Sequence, residues 1–214
     1  MHIPDGMLPL YACVGAYAAT GGIAAYTIKK IKEKEDPKKQ IPKVSIVTAA
    51  FFVGSLINIP IPPTSVHLML TGTLGILVGD YAFLSVIVSL FFQAALFGHG
   101  GLTTIGINTI ILGIPAIVSS IIYKKLCHSM NDSKTKNTVL SFFIGAFGTL
   151  QAVIIFCLII LGFIPKDVDV VAERMAVYGS FLAHMPLVLL EGIFTAWIVT
   201  YLKKVKPEIL EDHK

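Results

Sequence analysis

Val66-His67-Leu68-Met69-Leu70-Thr71-Gly72-Thr73-Leu74-Gly75-Ile76-Leu77-Val78 is the stretch on which the fold turns. It is apolar but short. As a helix it would reach only ~20 Å, at ~1.5 Å per residue, against the ~30 Å of hydrocarbon that a full span must cross. Six other apolar segments flank it: Leu8–Ile28, Val44–Ile59, Tyr81–Phe97, Thr104–Tyr123, Val139–Ile164 and Tyr178–Leu202. If Val66–Val78 crosses a bilayer, the two ends of the chain lie on opposite sides. If it does not, they share a side.

Charge decides between these. Lys29, Lys30, Lys32, Lys34, Lys38, Lys39 and Lys43 follow the first segment. Lys124, Lys125, Lys134 and Lys136 follow the fifth. Lys203, Lys204, Lys206 and Lys214 form the tail. Together these are 15 of the 17 basic residues. Basic loops stay in the cytoplasm, and only seven crossings with the N-terminus outside put all three groups there. The expectation is therefore an all-α polytopic membrane protein with seven transmembrane helices, N-out and C-in. Its third span is short or buried in protein.

Composition agrees with that class. The chain has 214 residues, 55% of them hydrophobic and 14% charged, with a mean hydropathy of +0.78. A soluble domain carries about 25% charged residues, so this surface needs lipid as part of its solvent. The length suits one membrane-embedded domain over residues 1–214. Residues 29–43, with Pro37 and Pro42, read as a cytoplasmic basic loop. The net charge of +4 is gathered in loops, not along a soluble face, which argues against nucleic acid as a partner. Cys13, Cys127 and Cys157 lack paired spacing, so neither a disulfide framework nor a thiolate metal site is expected. The first lysine is Lys29, too late for the basic start of a signal peptide, and the mature chain is expected to begin at Met1. No phosphate-binding GxxxxGK[ST] loop, HExxH or GxSxG occurs, which argues against an enzyme.

The first six residues, Met1-His2-Ile3-Pro4-Asp5-Gly6, carry the chemistry. With a histidine at position two, the terminal amine, the His2 amide nitrogen and the His2 imidazole can close five- and six-membered rings around one ion. Three nitrogens then lie in a plane with a fourth corner open. That geometry suits Ni(II) or Cu(II) better than tetrahedral Zn(II). Pro4 and Gly6 restrict and then release the backbone, which can steer the segment back into the bundle.

In the expected topology His2, His67, His99 and His184 share the outer side, while His128 and His213 are cytoplasmic. His67 is the better fourth ligand, because the turn Ile59-Pro60-Ile61-Pro62-Pro63-Thr64-Ser65 presents it. His99 and His184 read either as ligands or, more commonly, as hydrogen-bonding groups. The glycines of Gly98-His99-Gly100-Gly101 imply close backbone approach, either to the N-terminal peptide or within a tight turn. Glu191 is an ionisable group deep in an apolar span, which points to function or to a structural hydrogen bond. Ala12, Gly15, Ala16, Ala19 and Gly22 let another helix approach the first span closely, within the bundle or from a second membrane protein.

Taken together, the N-terminal hexapeptide, His67, the run from Gln93 to Asn108 with Gly98-His99-Gly100-Gly101-Leu102-Thr103, and His184-Met185-Pro186-Leu187 with Glu191-Gly192 resemble the CbiM/NikM family. These are the substrate-binding (S) components of energy-coupling-factor (ECF) transporters for cobalt and nickel. The resemblance implies a bundle into which the N-terminal segment inserts, and metal held by the Met1 amine, the His2 amide and imidazole, and the His67 imidazole. Asp5, His99, Asn108 and His184 would hold those ligands by hydrogen bonds. It implies capture of Ni(II) or Co(II) as transported ligand, with no cofactor, at the cytoplasmic (inner) membrane. Partners would be a transmembrane coupling (T) component, separate cytoplasmic ATPase subunits and a small accessory membrane component. The rival reading is a self-sufficient secondary transporter or channel for divalent cations.

Overall fold

The structure is a computed structural model and describes residues 2–61, 64–129, 134–163 and 169–211. Its long elements are α-helices: α1 (Leu10–Lys32), α2 (Ile41–Gly54), α3 (Thr71–Val78), α4 (Ala82–Phe97), α5 (Ile105–Ser129), α6 (Lys134–Gly162) and α7 (Val170–Val205), followed by the single turn α8 (Glu208–Glu211). The all-helical expectation needs one correction. Strands β1 (Asn58–Ile61) and β2 (Thr64–His67) pair antiparallel, with Asn58 opposite His67. The proline-rich segment before His67 is thus a hairpin rather than a simple turn, and Pro62 and Pro63 of that turn lie outside the described residues. The basic segment 29–43 is also mostly helical. Its first lysines form the last turn of α1, a 3-10 turn covers Pro37–Gln40, and Lys43 lies in the first turn of α2.

The outside of the bundle is apolar. Leu10, Phe143, Leu158, Leu182 and Trp197 are each more than 60% exposed. Such a surface is stable only against lipid, and this is a multi-pass membrane protein. Among the described residues, four helical stretches have the length and hydropathy to cross a bilayer: Thr71–Phe97, Ile105–Cys127, Thr135–Gly162 and Val170–Val205. The first of these is not one rod. Gly79, at φ 59°, and a 3-10 turn through Asp80 fold α3 back into α4.

Asp80 fixes where that turn lies. Its carboxylate pairs with Lys30 and Lys34 (2.9 Å each) at the end of α1 and with Lys124 (3.0 Å) near the end of α5. The far end of α4 leads to His99, beside His2. α1, α3 and α5 therefore run toward the Asp80 end, and α4 returns from it. Lys43 donates to the Ile209 carbonyl (2.9 Å), which ties the start of α2 and the C-terminal turn together.

All eight residues of α3 are buried. It sits inside the bundle because glycines remove the side chains that would hold its neighbours away. A Cβ on Gly72 would lie 2.6 Å from Gly145 Cα on α6, and one on Gly75 would lie 2.3 Å from the Ala116 carbonyl on α5. Backbones in such contact gain dispersion that lipid cannot match. Within the bundle, residues 66–78 run as the end of β2 followed by the short helix α3, which packs against α5 and α6.

Candidate metal site

The site is built from the N-terminal segment laid across the loop between α4 and α5. Asn108, on the first turn of α5, turns both ends of its amide to Ile3. Its Oδ1 accepts from the Ile3 N–H (2.9 Å) and its Nδ2 donates to the Ile3 carbonyl (3.0 Å). The Thr104 hydroxyl donates to the same carbonyl (2.6 Å). Ile3, Thr104 and Asn108 are all buried. Two residues on, the Asp5 carboxylate accepts from the N–H groups of Leu102 (3.1 Å) and Thr103 (2.8 Å), and from the Thr103 hydroxyl. These bonds hold the Asp5 carboxyl below its usual range, the Thr103 hydroxyl contributing most. Tyr17 of α1 donates to the Leu102 carbonyl and closes the loop from the other side.

The glycines make room for this segment. A Cβ on Gly101 would lie 2.1 Å from Asp5 Oδ1, so no other residue fits there. Gly98, at φ 60°, ends α4 in the left-handed cap, and the His99 N–H then bonds back to the Gln93 carbonyl (3.1 Å). That cap aims His99 at the N-terminal segment.

Three imidazoles meet there. The His2 and His67 rings stack with centroids 4.6 Å apart, and His99 stands edge-on to His2 at 4.5 Å and to His67 at 5.2 Å. One nitrogen from each can be chosen so that all three lie within 4.8 Å of one another. Both ring nitrogens of His2, and Nε2 of His67 and His99, are buried with no hydrogen-bond partner among the described residues. Each such atom costs ~1–3 kcal/mol if nothing binds it, so together they point to a ligand. Burial pushes the His2 and His99 imidazoles below their ordinary pKa, and His99 adds repulsion to His2. Neutral imidazole is the form that binds metal.

His67 is oriented by its own chain. Its Nδ1 lies 3.1 Å from the Leu68 carbonyl, which can only accept. Nδ1 therefore carries the proton, and Nε2 is left for a metal. His184 on α7 is arranged likewise, with Nδ1 2.7 Å from the Ser180 carbonyl and a buried, unpartnered Nε2, but it is not one of the three grouped rings. Met1 lies outside the described residues, as does His213. Thr104 was not singled out in the sequence, although it sits in the small, polar run that ends at Asn108. Its signal is a hydroxyl one helical turn before the asparagine.

The donor set is imidazole without thiolate, and the nearby carboxylate of Asp5 is already engaged by backbone N–H groups. Such a site suits late first-row divalent ions and not Mg(II) or Ca(II), which want oxygen. An apolar helix bundle that closes its own N-terminal segment over such a cluster belongs to the class of membrane-embedded transition-metal transport proteins. More particularly, the chain belongs to the CbiM family, described as the cobalt uptake substrate-specific transmembrane region, which it matches over residues 2–209. It is 32% identical to the cobalt transport protein CbiM of Lachnoclostridium phytofermentans, over 99% of this chain and 86% of that one. It is 26% identical to the fused nickel transport protein NikMN of Rhodobacter capsulatus, over 100% of this chain and 65% of that protein. Among solved structures it resembles a truncated transition metal transporter at a TM-score of 0.79 and 26% identity, covering 95% of this chain and 99% of that one.

Proposed function

We propose that this chain captures Ni(II) or Co(II) with high affinity at the outer face of the cytoplasmic membrane and delivers it through an ATP-driven energy-coupling-factor transporter. The observation that carries this reading is the N-terminal segment, held at Ile3 by Asn108 and Thr104 and anchored by its own Asp5 on Leu102 and Thr103, so that His2 meets His67 and His99. The Met1 amine, the His2 amide nitrogen, the His2 imidazole and the His67 imidazole supply four nitrogens. His99 and His184 stand by as hydrogen-bonding groups. Seven crossings, N-out and C-in, place the three histidines outside and the Asp80–lysine cluster in the cytoplasm. The planar nitrogen set favours nickel. Copper binds such a set more tightly by intrinsic order, so metal availability contributes to selectivity.

Binding displaces protons from the Met1 amine and the His2 amide, so affinity falls as pH falls. Energy comes from separate ATPase subunits through a coupling component and a small accessory membrane protein. The face of α1 that carries Gly15, Ala19 and Gly22, all exposed, is the surface offered to the coupling component.

The test is nickel titration of untagged protein against protein acetylated, or extended by one residue, at the N-terminus. Blocking the amine is expected to abolish tight binding, and His67→Ala to do the same. Retention of native affinity in the blocked protein refutes the chelate.

A further inference from the structure

Glu191 takes no part in the cluster, yet it is fully buried in α7 and unusual for an apolar span. Its partners are two backbone N–H groups, with the Thr149 hydroxyl beside them. Oε1 accepts from the Met69 N–H and, at 3.0 Å, from the Leu70 N–H. Oε2 accepts from the Leu70 N–H at 2.9 Å. Both carboxylate oxygens are thus committed to the two residues that join β2 to α3. This is a helix cap supplied from another helix. Leu70 is the N-cap of α3, has φ 49°, and offers no side-chain acceptor of its own. It is the one non-glycine residue with positive φ among those described. The acid offsets the N–H groups left without a helical partner, and the dipole, at the start of α3.

The same turn holds His67. The Leu68 carbonyl that receives His67 Nδ1 belongs to the peptide that ends at the Met69 nitrogen, which Glu191 grips. A shift of that peptide moves the proton acceptor of His67 and, with it, the direction of Nε2.

We infer that Glu191 is the positioning residue for His67: from α7 it fixes the Leu68–Leu70 turn, and thereby the tautomer and aim of the His67 imidazole. The inference rests on the reading of His67 as a metal ligand.

The experiment compares His67→Ala, Glu191→Leu, Glu191→Gln and the double variant H67A/E191L, each as full-length untagged protein in detergent. Nickel affinity is read by chelator competition, and the nickel ligand field by its d–d absorption. Glu191→Leu is expected to weaken binding about 10- to 100-fold, the usual range when a ligand loses its orienting partner. Its absorption should move to that of His67→Ala, which a general loss of stability would not produce. Glu191→Gln keeps one acceptor and should fall between the native protein and Glu191→Leu. In the His67→Ala background, loss of Glu191 should cost nothing further. If Glu191→Leu does not fold, Glu191→Gln carries the same comparison in both backgrounds. Native affinity and absorption in the Glu191 variants, with binding weakened in His67→Ala, overturn this inference alone. So does an equal loss with and without His67. Native binding by His67→Ala overturns the site reading and this inference with it.

Discussion

Asn108 shows how much one side chain can decide. Its amide matches both hydrogen-bonding groups of Ile3, a residue with no solvent access. Asn108→Ala leaves the Ile3 N–H buried and unpaired, which costs ~1–3 kcal/mol, or about 5- to 150-fold in the docking equilibrium. Hydrogen exchange at the Ile3 amide should accelerate by that factor, and nickel affinity should fall with it. Asp5 adds a dependence on pH. Its carboxyl is pulled below its ordinary 3.8 when docked, so the undocked segment holds more protons in acid. Docking is then at full strength above that value and weakens as pH drops through the lowered one. In metal-free protein, exchange at Ile3 should show this acid limb, and Asp5→Asn should remove it. Of this site the sequence disclosed the N-terminal segment, the three histidines and the glycines that let backbones meet. The pairing of Asn108 with Ile3 was hidden, because it joins residues 105 apart through groups that any asparagine and any peptide possess.

At the level of elements, α3 is held by glycine contacts more than by its own length. Gly75→Ala would force a Cβ to 2.3 Å from the Ala116 carbonyl, and overpacking of that kind costs about 1–3 kcal/mol. Gly15→Ala on α1 meets nothing within 4 Å and should be neutral or stabilising by up to ~1 kcal/mol. Thermal unfolding in detergent should separate the two variants. A melting point for Gly75→Ala equal to that of Gly15→Ala would show that α3 is not so tightly held. The shortness and apolarity of 66–78 were legible, and so was burial in protein as one of its outcomes. The strand pairing of 58–61 with 64–67 was not. A short apolar run before a proline cluster reads equally as the end of a helix, because periodicity cannot separate buried strand from buried helix over so few residues. The helical character of the basic segment was obscured in the same way. Its lysines look like a solvated linker, but Lys29, Lys30 and Lys32 only complete α1 and complement its C-terminal dipole.

Across the whole molecule, chemistry is separated by end: imidazoles at one, lysines at the other, with α1 spanning the distance between them. The grouping of basic residues made that polarity readable from composition along the chain. What it could not reveal is the lone acid that gathers them, since Asp80 lies 50 residues from Lys30 in sequence. The Asp80 side chain is only 12% exposed, whereas those of Lys30, Lys34 and Lys124 are 49%, 34% and 28% exposed. Water thus screens the cations more than the anion, and the cluster falls between a surface pair and a buried one. Asp80→Asn leaves three ammonium groups facing each other where α1, the α3–α4 turn and α5 meet. A loss of about 1–2 kcal/mol follows from that intermediate placement, larger at low ionic strength and smaller when salt screens the repulsion. Thermal unfolding of Asp80→Asn at low and high salt reads this directly. Nickel affinity should stay native, because the altered cluster lies at the opposite end of the bundle from the histidines. A drop in affinity in the folded variant would mean instead that the two ends are coupled through α3, the one element that runs from the turn after His67 to the turn at Asp80.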